Sequence, residues 1–416
     1  MGYDNDNGPQ LWPLLPNWKA NVIEGLEFNT HMVGPTLTGM RQKRRMRIAP
    51  RRSFSFEVHP HNQGRRLLDN IRFAVGKREW RLPIWHDKQT LTEGLSAGSS
   101  TIPCSPGFRD FRAGGYAVLR PKKLYTTDYE IVQIDVIDTD HVSIVGTLEN
   151  DWGPGTHFYP LRMARLADDS NNASVYNNQV STLGVKMEVS EPCDWNAFLS
   201  VEDPVFAEHN DYPVLELGTD WSNPRSHSFD RIITPVDNLT SVPSYFDFPD
   251  KAFIGFNLFK RDKGIEDHAR TRSIMYGLAG RYKQVWVPSY TSDLLLASDI
   301  PSSGTFDIEN CRYSVFAKGK PGRDTIRIEM YGADGDVFYA KIADSEDNGD
   351  TERLYTNLSV EIPKSRVRRI SFMSLMEHAT DTFTITHMTD VEGVATTPFT
   401  FESVFDVLDR ERGGLG

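Results

Sequence analysis

"GKREWRLPIWHDKQTL", Gly76 to Leu91, and "GRYKQVWVPSYTSDLLL", Gly280 to Leu296, decide the fold, because they read as one phrase written twice. Each opens on a glycine, passes through basic and aromatic residues to a proline, and runs on through an aspartate. Gly76 aligns with Gly280 at a lag of 204 residues, and Pro83 with Pro288 at 205, which sets Trp85 on Tyr290. Trp80 and Trp286 stand inside the same phrase. Upstream, "LLPNWKAN" around Trp18 matches "LGTDWSNP" around Trp221 at a lag of 203. Downstream, Met163 meets Met373 at 210 and Gly184 meets Gly393 at 209. Matches in one order at a slowly rising lag are the mark of a duplicated chain with a few loop insertions.

Each copy shares an internal order. A tryptophan-bearing segment comes first, followed by alternating apolar residues: Phe54, Phe56 and Val58, or Phe253, Phe256 and Leu258. Period-two patterning rich in aromatics predicts half-buried strands. One amphipathic helix follows, with Leu67, Leu68, Ile71 and Val75 inward in the first copy and Ile274, Met275 and Leu278 in the second. Both helices stop at glycine, Gly76 and Gly280. The repeated phrase is then the strand returning from the helix, and its proline marks an edge strand or a strand end. The rest of each copy alternates between turn signals, as in "EIVQIDVIDTDHVSIVGTL" and "TIRIEMYG", and predicts a small β-module. The expected class is mainly β: a duplicated β-sandwich flanked by one helix, each copy followed by a small module. The expected spans are 1–100 and 101–195 for the first sandwich and module, and 196–302 and 303–416 for the second.

A net charge of -11 in 416 residues argues against a general nucleic-acid binder. No apolar run is long enough to predict a membrane span, and the first residues lack the pattern of a secretory signal. Cys104, Cys193 and Cys311 are few and far apart, which is neither a disulfide framework nor a structural zinc pattern.

Several features invite a functional reading. Arg41, Lys43, Arg44, Arg45, Arg47, Arg51 and Arg52 form a basic hairpin that the second copy does not repeat. The fold therefore does not require it, and docking on an acidic neighbour is the expected use; an inert basic face and nucleic-acid contact are the alternatives. His59 and His61 share a strand face but lack a visible third metal ligand. "DSEDNGD", Asp344 to Asp350, lacks the carboxylate that a calcium loop needs at its twelfth position, where Tyr355 stands, and reads as a solvated hairpin. Trp80, Pro83, Trp85, Trp286, Pro288 and Tyr290 could form a carbohydrate platform, but their presence in both copies points to core or subunit contacts. No motif for a nucleophile elbow, a zinc protease or a phosphate loop occurs, so neither a catalytic group nor a cofactor is expected.

The helix ending in Gly280–Arg281, with Trp286, Pro288 and Asp293 after it, resembles a structural protein of the distal tail or tail tip (baseplate) of long-tailed bacteriophages. Members carry a phrase close to F-W-L-P-T-W; Val285, Val287, Ser289 and Tyr290 depart from it. "YPVLELGTDWS" from Tyr212 and the stretch from Arg366 to Val391 are similar too, and the first copy follows more faintly. The resemblance implies tube-like sandwich domains and a non-enzymatic virion protein at the tail tip, synthesised in the bacterial host cytoplasm. It would assemble with itself in a trimeric or hexameric ring, between the tail tube protein and the hub, spike or fibre proteins. A carbohydrate-binding or depolymerase-like tail accessory is the alternative.

Overall fold

The computed structural model describes residues 8–34, 41–167, 173–193, 207–217, 220–231, 233–247, 252–332, 336–390 and 393–404. Strands hold 47% of the chain and helices 11%, so the class is mainly β, as the alternation indicates.

The first half begins with β1 (Gln10–Leu11), β2 (Val22–Glu27), the hairpin β3 (Thr30–Val33) and β4 (Gln42–Arg45), β5 (Arg51–Val58), α1 (Asn62–Val75) and β6 (Glu79–Pro83). A module follows: β7 (Gln89–Thr90), β8 (Thr101–Pro103), β9 (Tyr116–Arg120), β10 (Glu130–Ile137) and β11 (His141–Ile144). The chain returns through β12 (His157–Leu166), β13 (Ala173–Val175) and β14 (Ser181–Val189). The second half runs β15 (Ala207–His209), β16 (Tyr212–Val214), β17 (Ser226–Asp230), the hairpin β18 (Ile233–Val236) and β19 (Ser244–Asp247), β20 (Phe253–Arg261), α2 (Ile265–Leu278) and β21 (Gln284–Pro288). Its module is β22 (Thr305–Glu309), α3 (Tyr313–Phe316), β23 (Thr325–Met330), β24 (Val337–Asp347) and β25 (Thr351–Thr356), and the chain returns through β26 (Val367–His378), β27 (Thr382–His387) and β28 (Ala395–Ser403).

Strand registers bear out the duplication residue by residue. β1 lies parallel to β6, as β16 does to β21. The Trp12 amide donates to the Arg81 carbonyl at 3.0 Å, and the Leu215 amide donates to that of Trp286 at 2.8 Å. Gly25 faces Ser53 between β2 and β5, and Ser228 faces Gly255 between β17 and β20, the same pair with its identities exchanged. β12 pairs with β6 as β26 does with β21, and β14 with β5 as β28 does with β20. Late in each copy the ladders correct the sequence alignment. Leu161, opposite Pro83, is the counterpart of Met373, opposite Pro288, so Met163 matches Leu375. Phe54 and Phe56, paired with Met187 and Val185, correspond to Phe256 and Leu258, paired with Phe401 and Phe399; Gly184 then matches Pro398, not Gly393.

The modules are insertions rather than successors. The first sandwich core takes Leu11, Phe54, Phe56, Trp80 and Trp85 together with Leu161, Leu183 and Met187, while the module core draws on Leu91 to Phe158. The second sandwich core likewise closes with Met376, Phe399 and Phe401, around a module core from Leu294 to Phe372. The expected boundaries at 101 and 303 therefore cut through each sandwich, because the last strands of each copy pair back onto its first ones.

Trp80 and Trp286 both stand inside the repeated phrase, but they sit one residue apart in register, as the alignment of Pro83 with Pro288 requires. β6 and β21 align Pro83 with Pro288, which puts Arg81 on Trp286 and Trp80 on Val285. A shift of one residue on a strand turns a side chain to the other face. Trp80 is accordingly buried in the first sandwich core. Trp286 packs on the opposite face of its sheet with Val214, Met373 and Leu375, and its indole donates to the His209 carbonyl at 2.9 Å. Trp85 and Tyr290 do match, each buried in its own sandwich core.

Candidate functional site

The two halves share a sheet. β2 pairs with β5 of its own half on one side and with β27 of the second half on the other, Val22 opposite His387 and Glu24 opposite Ile385. Leu26 and Phe28 consequently belong to the second sandwich core. At the helix end, the left-handed cap is Ala279, and Gly280 follows with φ +72°. A side chain at Gly280 would collide with Asp381 and Phe28, so this glycine allows the close approach of the halves. The Asp381 carboxylate fixes the approach by accepting from the amides of Thr30 at 2.8 Å and Arg281 at 3.0 Å.

Under this shared sheet lies a cluster that sequence reading did not single out. Glu24 on β2, His86 just after β6, His268 on α2 and His387 on β27 place one ligand atom each within 4.8 Å of one another, and all four are buried. Four such donors could compose a metal site, whose Zn–N and Zn–O bonds are about 2.0–2.2 Å long. The shared point is taken by a guanidinium instead. Arg272 Nη2 lies 2.7 Å from Glu24 Oε2, 3.2 Å from His86 Nε2 and 3.3 Å from His268 Nε2. A metal ion there would have to displace a buried, paired arginine, so the residue set does not fit one.

The hydrogen bonds assign the imidazole roles. His268 Nδ1 donates to Asp262 Oδ2 at 2.8 Å, leaving Nε2 to accept from Arg272. His387 Nε2 donates to Glu24 Oε2 at 2.9 Å. His86 and His387 stack in parallel with centroids 3.7 Å apart. Burial pushes the His86 imidazole well down, with its neighbour His387 adding to the effect, and pushes His387 down to about 4, so both are neutral at pH 7. Burial works to raise Glu24, but Arg272 and Arg52 hold it well below the usual carboxylate range. Arg52 Nε donates to Glu24 at 2.7 Å, and the same guanidinium bonds Asp110. Asp110 in turn holds Arg162 Nε at 3.0 Å and sits below its ordinary range, since Arg162 and Arg52 overcome the effect of burial. Asp87 nearby is raised by burial. The result is a paired ionic seam between the halves.

The seven basic residues do not share one face. Arg52 belongs to the buried seam. Arg41 pairs with Glu377 at 2.8 Å and Glu402 at 2.7 Å, and Lys43 pairs with Glu377 and donates to the Arg281 carbonyl. The acidic neighbour of these two is thus the second half of the same chain. Arg45 bonds the carbonyls of Arg47 and Ile48, Arg47 pairs with Glu27 at 3.1 Å, and Arg44 and Arg51 are exposed. His59 bonds Thr182 and Glu57, and His61 is exposed beside it. Asn348 to Asp350 form the turn between β24 and β25, a hairpin as expected. Trp80, Pro83, Trp85, Trp286, Pro288 and Tyr290 are all buried, so they form no exposed aromatic platform. Both prolines end their strands, as expected. Trp18 packs against the first core, whereas its counterpart Trp221 is 61% exposed with Arg225 stacked over its ring.

The fold and seam define a duplicated, mainly β protein in which a buried charge network joins its own two halves. No protein-family model matches the chain, and no curated protein is similar to it.

Proposed function

We propose that this chain is a non-enzymatic structural component of a bacteriophage tail tip, forming a ring between the tail tube and the central spike or receptor-binding fibres. The observation that carries the reading is the fusion of two equivalent sandwiches, edge to edge, through β2 and β27. Such a chain offers two similar faces per subunit. Three chains present six similar domains to a six-fold tube and three distinct faces to a three-fold spike. The polar cluster supports the reading, because its guanidinium and carboxylates pair with one another under the sheet rather than in an open cleft. The resemblance of the Gly280–Asp293 phrase to tail-tip proteins supplies the setting. The carbohydrate-binding alternative loses support because the aromatic set of its platform is buried. Immunogold labelling of tailed virions tests the proposal. Label at the distal tail end is expected; a soluble monomer that cleaves glycans, with no label on the tail, would overturn it.

A further inference from the structure

The contact between the halves leaves two equivalent edges open. β2 has a strand on either side, whereas among the described residues its counterpart β17 has only β20, and all five residues of β17 are exposed. β27 lies between β2 and β28, whereas among the described residues its counterpart β13 has only β14, and all three of its residues are exposed. The helices show the same asymmetry. The amide after α1 closes on the Arg72 carbonyl, and the one after α2 on that of Met275, so Asp69 matches Arg272 and Phe73 matches Tyr276. Within the chain, Tyr276 donates to the Cys193 carbonyl at 2.6 Å and packs edge-on against Phe28. Phe73 is 95% exposed.

We propose that successive chains join head to tail by repeating the internal contact: β17 of one chain pairs antiparallel with β13 of the next. The register follows from the ladders. Ile23 faces Thr386 inside the chain, and their counterparts are Ser226 and Ser174, so Ser226 faces Ser174 of the next chain and His227 faces Ala173. α1 of the next chain then lies where α2 lies internally. Phe73 enters the apolar cleft lined by Phe229, Ile254 and Pro321, since Arg231 in that cleft is the counterpart of Phe28. Asp69 meets His227, the counterpart of Glu24, so a polar pair falls where Arg272 and Glu24 meet inside the chain. The hairpin β18–β19 extends over the next chain as β3–β4 extends over the second half, which covers its exposed Ile233, Tyr245 and Phe246. Repetition of one heterologous contact closes a ring where its rotation divides a full turn, and closure at three chains is part of the proposal. This inference rests on the ring in the proposed function but not on its place in a virion.

The test is a chain carrying Ser226→Cys and Ser174→Cys, oxidised and run on a non-reducing gel beside each single variant. Crosslinked species ending at three chains are expected from the double variant alone. In parallel, Asp69→Arg should weaken the assembly at least tenfold by light scattering, and adding His227→Glu should restore it by recreating the internal pair. Absence of the crosslink, or an assembly indifferent to Asp69→Arg, would overturn the pairing. Tail-end labelling of virions that persists in that case keeps the tail-tip reading; a crosslinked trimer that labels no tail removes that reading and leaves the pairing intact.

Discussion

α1 and α2 occupy the same place in two copies of one sandwich, yet they are buried differently. α1 buries Gly64, Leu68 and Ile71, while α2 buries Thr271 and Ile274, the counterparts of Leu68 and Ile71, and others besides, including His268, Arg272 and Met275. The inward stripes are alike, with Ile71 matched by Ile274 and Val75 by Leu278. The added burial in α2 comes from the face laid on the first half. The sandwich core therefore accounts for one stripe of each helix, and an edge-to-edge contact accounts for the other. Polar residues survive on the buried α2 face because every charge has a partner there; a buried charge left unpaired is strongly destabilising.

That contrast can be broken at the core first. Trp80→Ala should cost about 5 kcal/mol, since it removes a fully buried indole from the first sandwich. Trp286→Ala should cost less, about 3 kcal/mol, because its cluster on the outer face is small. Urea unfolding measures both, and equal losses would contradict the opposite facing of the two tryptophans.

Equivalent helix positions give the next contrast. Arg272→Ala leaves Glu24 buried without one of the two arginines that pair with it and should cost about 3–4 kcal/mol. Asp69→Ala at the matching position of α1 should change the stability of the separated chain by less than about 0.5 kcal/mol, since it removes an exposed ion pair with Arg65.

The fold was legible where local pattern carries it. The alternation of Phe54, Phe56 and Val58, the helix stripes and the repeated phrase identified strands, helices and duplication before any tertiary contact was considered. Register was less legible, because Trp80 and Trp286 share a residue type but not a pleat face. The seam was not legible at all. Glu24, His86, His268 and His387 lie far apart in sequence and do not recur at matching positions of the repeat, so neither spacing nor duplication marks them. The one available signal was His268 among the inward positions of α2, where the first copy has Arg65. The basic hairpin misled for a related reason: docking on a neighbouring protein was expected, whereas Arg41 pairs with Glu377 and Glu402 of its own chain, which sequence alone does not show.

The seam also sets a pH dependence. A histidine whose folded pKa lies below its unfolded value of 6.5 contributes stability that is complete above 6.5 and lost as pH falls toward the folded value, because the unfolded state then binds more protons. For His387, held down to about 4, the loss between pH 6.5 and 4 is at most about 3 kcal/mol. His86, His157 and His378 act in the same direction, and Asp87, raised by burial, opposes them. Melting temperature should fall across this window, and His387→Gln should flatten the fall; an unchanged slope in that variant would remove His387 from the account. A smaller effect separates the two sides of the hairpin. Lys43→Glu, facing Glu377, should cost about 1–2 kcal/mol, whereas Arg44→Glu on the exposed side should cost under about 0.5 kcal/mol. Equal losses would show that the hairpin does not rest on the second half.

The central claim is that one chain supplies two equivalent positions around a ring, and the symmetry of the purified assembly tests it most directly. Single-particle reconstruction should show three chains, with six similar sandwich lobes around the axis and the two kinds of contact alternating. A monomer at all concentrations, or a ring of six chains with only one sandwich of each chain in the ring, would contradict it.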